Sequence, residues 1–372
     1  MLLIKTNRDT LLKPLQTVTG IVERRQTLPI LSNVLIRQNA EKTSFLTTDL
    51  EIQIKTVATL DLLPKQDFSL TVSAKKLQDI LRSLSADAEV TLTRQDDHLY
   101  VKSGKSAFNL QILPAEDFPE VAEEAESEDA ITLKQKELKD LLHHVQFAVA
   151  QQDIRYYLNG LLLLTDNKKF ISVGTDGHRL AYIVAALDKA QKKQEVILPR
   201  KAVYELSKLL EDNEEPVTIE YFQNKVRFSF SGVVLTSKVI DGKFPDYNRV
   251  IPTRNNKQFE INRQTFLQAL QRVSILSNQS EKFRGVRLIV SENNLRIVCK
   301  NNEQEEAEEE LEINYSEESV DISLNITYLL DLLNNVDDSE TVLCAFENAN
   351  SSVLITIPGN DAFKYIVMPM RI

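Results

Sequence analysis

The sequence is short of the features on which several functional classes depend. No run of about 18 apolar residues occurs in its 372 residues, so no helix is expected to span a membrane. The first eight residues, Met1-Leu-Leu-Ile-Lys-Thr-Asn-Arg8, lack the basic start, long apolar region and small-residue cleavage site of a signal peptide, and a cytoplasmic location is expected. There are two cysteines, Cys299 and Cys344, both in alternating apolar segments. They read as reduced, buried strand residues. The 9 glycines form no nucleotide-binding loop. Gly104-Lys-Ser106 imitates the end of a phosphate loop, but the first glycine would fall at Leu99, and an alternating segment follows where a helix is needed. No nucleophile elbow is present. Asp153, Asp176 and His178 could suggest acid–base or metal chemistry, but no second histidine stands at metal spacing and Asp176-Gly-His178 reads as a turn. His143 and His144 are adjacent on a helical segment and cannot point the same way. No catalytic residue, metal site or cofactor is expected.

What is present is ordinary globular material, 42% hydrophobic and 26% charged, long enough for two or three domains. The net charge of −10 taken alone argues against nucleic acid. The charges are segregated, however. Acidic residues bunch in Glu120–Asp129 and Glu303–Glu312, and basic residues collect elsewhere.

An internal repeat is the strongest signal. Ile4–Val18, Ile131–Val145 and Phe259–Val273 align without gaps, with apolar columns Leu11/Leu138/Phe266, Leu15/Leu142/Leu270 and Val18/Val145/Val273. Offsets of four and then three residues place these columns on one helical face. An extended piece and a polar residue able to cap the helix precede each one. A second helix recurs at nearly the same period in Val72–Leu84, Leu198–Leu210 and Leu324–Val336. Its columns are Leu77/Val203/Leu329, Ile80/Leu206/Leu332 and Leu84/Leu210/Val336. Segments such as Glu51–Val57, Lys225–Ser231 and Leu295–Cys299 alternate as strands with one buried face, which fits antiparallel sheets. Each repeat is thus an α+β unit of two helices on antiparallel sheet. Exposed joins are expected near Pro114–Ala130 and Asp241–Lys257.

Three similar domains in a row can form an arc. Two arcs related by a two-fold axis, head to tail, close into a ring of six similar domains. Closure also pairs terminal strands that would otherwise be open edges. Helices lining the hole would expose cations, and Arg24, Arg25, Lys75, Lys76, Arg82, Lys136, Lys139, Arg200, Lys201 and Lys208 lie on or beside the repeated helices. The third repeat is poorer in them, and its second helix has none. Such a lining touches phosphates rather than base edges. The bland alternative is that these are solvated helix faces. A second class of function is a protein-only adaptor that binds peptides and no DNA.

Several motifs occur in a fixed order: Leu11-Leu-Lys-Pro14, Thr27-Leu-Pro-Ile-Leu31, Gln152–Gly160, Thr175-Asp-Gly-His-Arg-Leu180, Phe244-Pro-Asp-Tyr247, Lys282–Leu288, Asn302–Glu308 and Val367-Met-Pro-Met-Arg-Ile372. The ordered set covers essentially the whole chain and resembles the beta subunit of bacterial DNA polymerase III, the replicative sliding clamp. The resemblance implies three tandem clamp domains, at 1–125, 129–249 and 250–372, in a head-to-tail homodimeric ring of pseudo-six-fold symmetry. It implies a non-catalytic processivity factor that encircles duplex DNA and tethers the replicative polymerase, the clamp loader and other clamp-binding-motif proteins. DNA contacts carry over to Arg25, Lys75, Gln152, Tyr156 and Tyr157. The partner-peptide pocket carries over to Leu158, Thr175, Gly177, His178, Arg179, Leu180, Pro245, Arg249, Val250, Phe283, Asn325, Tyr328, Ser352, Ile366, Val367, Met368, Pro369, Met370 and Arg371. Flexible Met and aliphatic surface with polar rims suits many short peptides. The dimer joint carries over to Phe108, Leu110, Ile275 and Leu276, with Lys76 and Lys105 facing Glu303, Glu305, Glu306 and Glu308. The segment Asn278–Lys282 is slightly longer than the family's usual loop.

Overall fold

The computed structural model describes residues 1–23, 27–39, 42–59, 67–121, 127, 129–277, 284–336 and 340–370. The first repeat runs β1 (Leu2–Asn7), α1 (Arg8–Val18), β2 (Asn33–Asn39), β3 (Lys42–Thr48), β4 (Ile52–Thr59), β5 (Phe68–Ser73), α2 (Ala74–Ser83), β6 (Glu89–Gln95), β7 (His98–Ser103) and β8 (Ser106–Leu113). The second runs β9 (Asp129–Lys134), α3 (Gln135–Gln146), β10 (Gly160–Thr175), β11 (Arg179–Pro199), α4 (Arg200–Leu209), β12 (Pro216–Tyr221), β13 (Lys225–Phe230) and β14 (Val233–Lys238). The third runs β15 (Lys257–Asn262), α5 (Arg263–Val273), β16 (Gly285–Ser291), β17 (Asn294–Lys300), β18 (Glu306–Glu312), β19 (Val320–Asn325), α6 (Ile326–Asn335), β20 (Thr341–Phe346), β21 (Val353–Ile357) and β22 (Asn360–Val367). The order is the same each time, except that four strands of the other repeats are fused into the long β10–β11 hairpin. The joints survive as register shifts between Thr165 and Lys169.

All nine residues of the first set of columns are buried, from Leu11 to Val273. The second set holds in α4 and α6. In α2, Leu81 is fully buried while Ile80 and Leu84 are half-buried. The buried stripe has turned by about one position there, because Leu81 supplies the apolar bulk that its counterpart Ser207 cannot. Asn7, Asn262 and Asn325 cap α1, α5 and α6, each side chain accepting a hydrogen bond from a first-turn N–H. Gly104 sits at φ +55° in the turn from β7 to β8, so the phosphate-loop mimic is a hairpin. Cys299 and Cys344 are free and buried. No helix among the described residues is long and apolar enough to cross a membrane.

The chain divides into two compact units rather than at the repeat boundaries. The first holds Met1–Leu138 and Tyr204–Val239. Its 12-stranded sheet has the order β1-β6-β7-β8-β5-β2-β3-β4-β14-β13-β12-β9. Strand β4 pairs with β14, Ile54 facing Leu235, so the first repeat's sheet continues into strands of the second. The other unit holds Lys139–Val203 and Ile240–Ile372. It contains a 6-stranded sheet, β10-β11-β22-β21-β20-β15, and a 4-stranded sheet, β18-β17-β16-β19. Here β11 pairs with β22, Leu180 facing Ile366. The middle repeat is therefore shared between two continuous sheets.

Candidate functional site

The β10–β11 hairpin closes on a turn that holds its own backbone. Thr175 Oγ1 donates to the Arg179 carbonyl at 2.5 Å and accepts from Gly177 N–H at 3.1 Å. The Asp176 carboxylate accepts from the N–H groups of His178 at 2.9 Å and Arg179 at 3.0 Å. Gly177 sits at φ +87°, and a Cβ there would lie 2.7 Å from the guanidinium of Arg155. Both the backbone conformation and the close approach favour glycine here. Asp176-Gly-His178 is thus a turn, and no group of acidic, histidine or cysteine side chains among the described residues could hold a metal.

Arg179 leaves this turn and is 9% exposed. Its Nε donates to Asp176 at 3.1 Å, Nη1 to Asp331 at 2.6 Å, and Nη2 to the Phe147 carbonyl at 2.8 Å. The guanidinium lies 4.5 Å from the centre of the Tyr328 ring. Burial works against the charge, but neighbouring Tyr365 and the carboxylates of Asp331 and Asp176 outweigh it and raise the pKa above the ordinary range. Burial, with Asp176 nearby, pushes the Tyr328 phenol up to about 12.

The segment before β10 is braced from within. Asn159 accepts from the Asp153 N–H at 2.8 Å and donates to its carbonyl at 2.9 Å. Arg155 bonds both oxygens of Asp153 and reaches the Asp176 carbonyl at 3.1 Å. Its hydrogen bonds hold the Asp153 pKa down at about 2. On this scaffold Ile154 is 97% exposed and Tyr156 is 59% exposed. Gln152 is exposed at φ +56°. Tyr157 meets Tyr156 edge-on at 5.8 Å and packs half-buried against the core cluster that includes Leu162, Ile171 and Phe244.

Between these pieces lies a cleft of about 160 Å³. Of the residues that the resemblance implies, Leu158, Thr175, Gly177, Arg179, Leu180, Pro245, Val250, Ile366 and Met368 line it. Arg155, Phe244 and Tyr247 also line it and were not expected, and Tyr157 lines it although it was expected at DNA. Repeated Phe-Pro pairs, Phe118-Pro119 and Phe244-Pro245, were the available signal. The described residues of the two joins are mostly exposed or half-buried, and each join is anchored by one buried phenylalanine. His178 and Arg249 are exposed, Arg249 pairing with Asp246 at 3.0 Å. Tyr328 stacks on Arg179 behind the cleft, and Asn325 is buried as the α6 cap. Val367 is buried, while half-buried Ser352 holds Asn255 through its carbonyl at 2.9 Å. Half-buried Pro369 leads to Met370, whose N–H donates to the Ser323 carbonyl at 2.7 Å. Phe283 and Arg371 lie outside the described residues, as do Arg24, Arg25 and the segment 278–282.

The first repeat carries a copy of this turn. Thr48 and Asp49 bond the turn to Ile52 as Thr175 and Asp176 bond theirs, but Leu50 stands at φ +76° where the second repeat has Gly177. Gln53 occupies the position of Leu180, and its side chain accepts from Val121 N–H at 2.8 Å. A buried polar side chain thus bonds the segment after Phe118-Pro119, where the second repeat has the apolar Leu180 instead.

Two sheet edges stand out. Strand β8 is flanked by β7, but β5 reaches only its end, at Ile112 and Leu113. Ser106–Gln111 therefore has no second neighbour among the described residues, with Phe108 and Leu110 half-buried along it. Strand β18 terminates the 4-stranded sheet. Glu306 and Glu308 on it already pair with Lys300 and Arg296 of β17, and Glu309 with Arg272. Glu303 and Glu305 are exposed, Ile275 after α5 is 71% exposed, and Leu276 is half-buried. Lys105, Lys76, Arg82, Lys136 and Lys208 are exposed, whereas Lys75, Lys139, Arg200 and Lys201 are half-buried. Arg200 spends a donor on the Val149 carbonyl at 2.6 Å, and Lys208 pairs with Glu205 at 2.8 Å.

Comparison with known proteins places this geometry. Family models of the DNA polymerase III beta subunit match in order: the N-terminal domain over residues 2–122, the central domain over 132–246 and the C-terminal domain over 248–371. A beta sliding clamp from Pseudomonas putida is 44% identical over 366 residues, covering 98% of each chain. A crystal structure of a Pseudomonas aeruginosa DNA polymerase sliding clamp with ligand superposes with a TM-score of 0.94 at 41% identity, over 100% of both chains. A second from that organism, bound to griselimycin, gives 0.94 at 42%, also over 100% of both. Three ordered domain matches and relatives alike over the full length leave one assignment: the chain belongs to the DNA polymerase III beta subunit family, that of the beta sliding clamps.

Proposed function

We propose that this sliding clamp closes head to tail with a second copy into a ring around duplex DNA, and that the cleft between Thr175 and Met368 takes short peptide segments of the polymerase, the clamp loader and other replication proteins. As a clamp the chain is a non-catalytic processivity factor. In this reading the domains divide at 1–125, 129–249 and 250–372, and the protein works in the cytoplasm. The observation that carries the peptide reading is the cleft itself. It is lined by apolar groups around one buried, charge-balanced arginine, whereas at the position of Leu180 the first repeat has Gln53, whose side chain bonds Val121 N–H. Such a site takes hydrophobic anchors and orients them with few polar contacts. A griselimycin-bound relative supports binding of a ligand to this family, and the cleft is where this chain could take one.

The joint would add β18 of one copy to the open edge of β8 in the next, satisfying both strands. Phe108, Leu110, Ile275 and Leu276 supply the apolar contact. Lys76 and Lys105 face Glu303 and Glu305, while Glu306 and Glu308 also serve their own β17 cations. Arg25, Lys75, Gln152, Tyr156 and Tyr157 would touch DNA, Gln152 and Tyr156 directly from the braced loop and Tyr157 chiefly by supporting Tyr156. Phosphate contacts of this kind are salt-sensitive and carry no sequence preference, so the ring can slide. A polymerase held at the cleft is kept near the template at high effective concentration. The test is fluorescence anisotropy with a labelled peptide bearing one glutamine and terminal leucines. Saturable binding lost on Leu180→Asp supports the cleft reading, and binding unchanged by that substitution refutes it.

A further inference from the structure

Asp331 is the one acidic residue of α6 and lines no part of the cleft. Its side chain is 36% exposed, yet its carboxylate takes the shortest of the three bonds from the Arg179 guanidinium, 2.6 Å. The same helix supplies Tyr328, whose ring covers that guanidinium. Tyr365 donates its hydroxyl proton to the Tyr328 carbonyl at 3.0 Å, tying β22 to the helix beneath the cleft. We infer that Asp331 is a positioning residue of the peptide cleft, acting only through Arg179; this rests on the cleft reading above.

The geometry separates two roles. Asp176 bonds Arg179 from within the turn and also holds the turn's own N–H groups. Asp331 is independent of the turn and comes from an element well separated in sequence. With Asp176, Asp331 and the Phe147 carbonyl all engaged, the guanidinium plane is fixed at three points and cannot pivot into the cleft. Without Asp331 the plane keeps one carboxylate, so its charge stays balanced and the chain stays folded, but Nη1 is free to swing toward the apolar wall formed by Leu158, Leu180 and Ile366. A ligand must then displace a wandering charge, and the cleft is competent for only part of the time.

The experiment is a double-mutant cycle on the full chain with the glutamine- and leucine-bearing peptide as probe. Asp331→Asn is expected to weaken peptide binding roughly tenfold, a loss of the size seen for charge-assisted hydrogen bonds. Asp331→Glu should recover most of it. In an Arg179→Lys background, which lacks the planar fork, Asp331→Asn should change affinity less than about twofold, because the group it acts through is gone. Equal losses in both backgrounds would show a general structural role and overturn the inference, and so would no loss in the unsubstituted background. Failure of the unsubstituted protein to bind the probe would overturn the cleft reading instead. Circular dichroism on each variant confirms that the comparison is between folded proteins.

Discussion

Replacing Gly177 by leucine converts the turn beside the cleft into the turn of the first repeat, and the structure sets the size of the effect. Two costs arise. Leucine at φ +87° adopts the left-handed region, at about 1–2 kcal/mol. Its Cβ would lie 2.7 Å and 2.9 Å from the two terminal nitrogens of Arg155, closer than any stable contact. Arg155 must then move, giving up its bond to the Asp176 carbonyl at 3.1 Å and loosening its grip on Asp153. The first repeat indicates that the backbone survives, since Leu50 already stands at φ +76° in a turn with the same hydrogen bonds. The expected result is a folded protein, less stable by about 1–2 kcal/mol in urea unfolding, with peptide affinity down at least about tenfold because the new side chain and the displaced guanidinium both occupy the cleft mouth. Anisotropy titration alongside urea unfolding separates the two effects. Unchanged peptide affinity in a folded Gly177→Leu protein would refute the placement of the ligand over this turn.

Three further outcomes follow from the same geometry. Truncation after Val367 removes Met368 from the cleft wall and the Met370 bond to Ser323, so peptide binding should vanish while light scattering still reports a dimer; intact peptide affinity contradicts this. Ile275→Asp puts a charge on a 71%-exposed apolar side chain at the proposed joint and should shift the protein toward monomer in light scattering, with its thermal unfolding as a monomer little changed. The Asp153 carboxyl, held near 2 by the hydrogen bonds of Arg155, has a folded pKa below its unfolded value of 3.8. Its contribution is therefore fully present above about pH 4 and lost as pH falls toward 2, and a carboxyl ¹³C titration placing it near 3.8 would contradict the bracing of the loop.

How far the sequence speaks depends on the range of the interaction. The helix columns are local and periodic, so Leu15, Leu142 and Leu270 announce themselves, and each is fully buried. Truncating any one to alanine should cost about 2–5 kcal/mol. The three repeats are equally plain, and family membership decides for a clamp against the peptide-only adaptor that the sequence left open. Less visible is that the repeats do not separate as compact bodies. Pairing of β4 with β14 and of β11 with β22 merges their sheets, and strand partners distant in sequence leave no periodic trace. The cleft was half legible. Its turn and its apolar lining come from contiguous motifs, while Arg155 enters through a bond to a backbone carbonyl and Phe244 through burial of a presumed linker. Asp331 left no sequence signal at all, because only the fold brings α6 beneath the hairpin.

The central claim is that the chain holds DNA by topology. Loaded by a clamp loader onto nicked circular duplex and washed at moderate salt, the protein should stay bound to the circle. Linearising the circle with a single cut should release it within minutes, with no change in solution conditions. Equal retention on circle and linear DNA, or equal loss from both, would contradict encirclement.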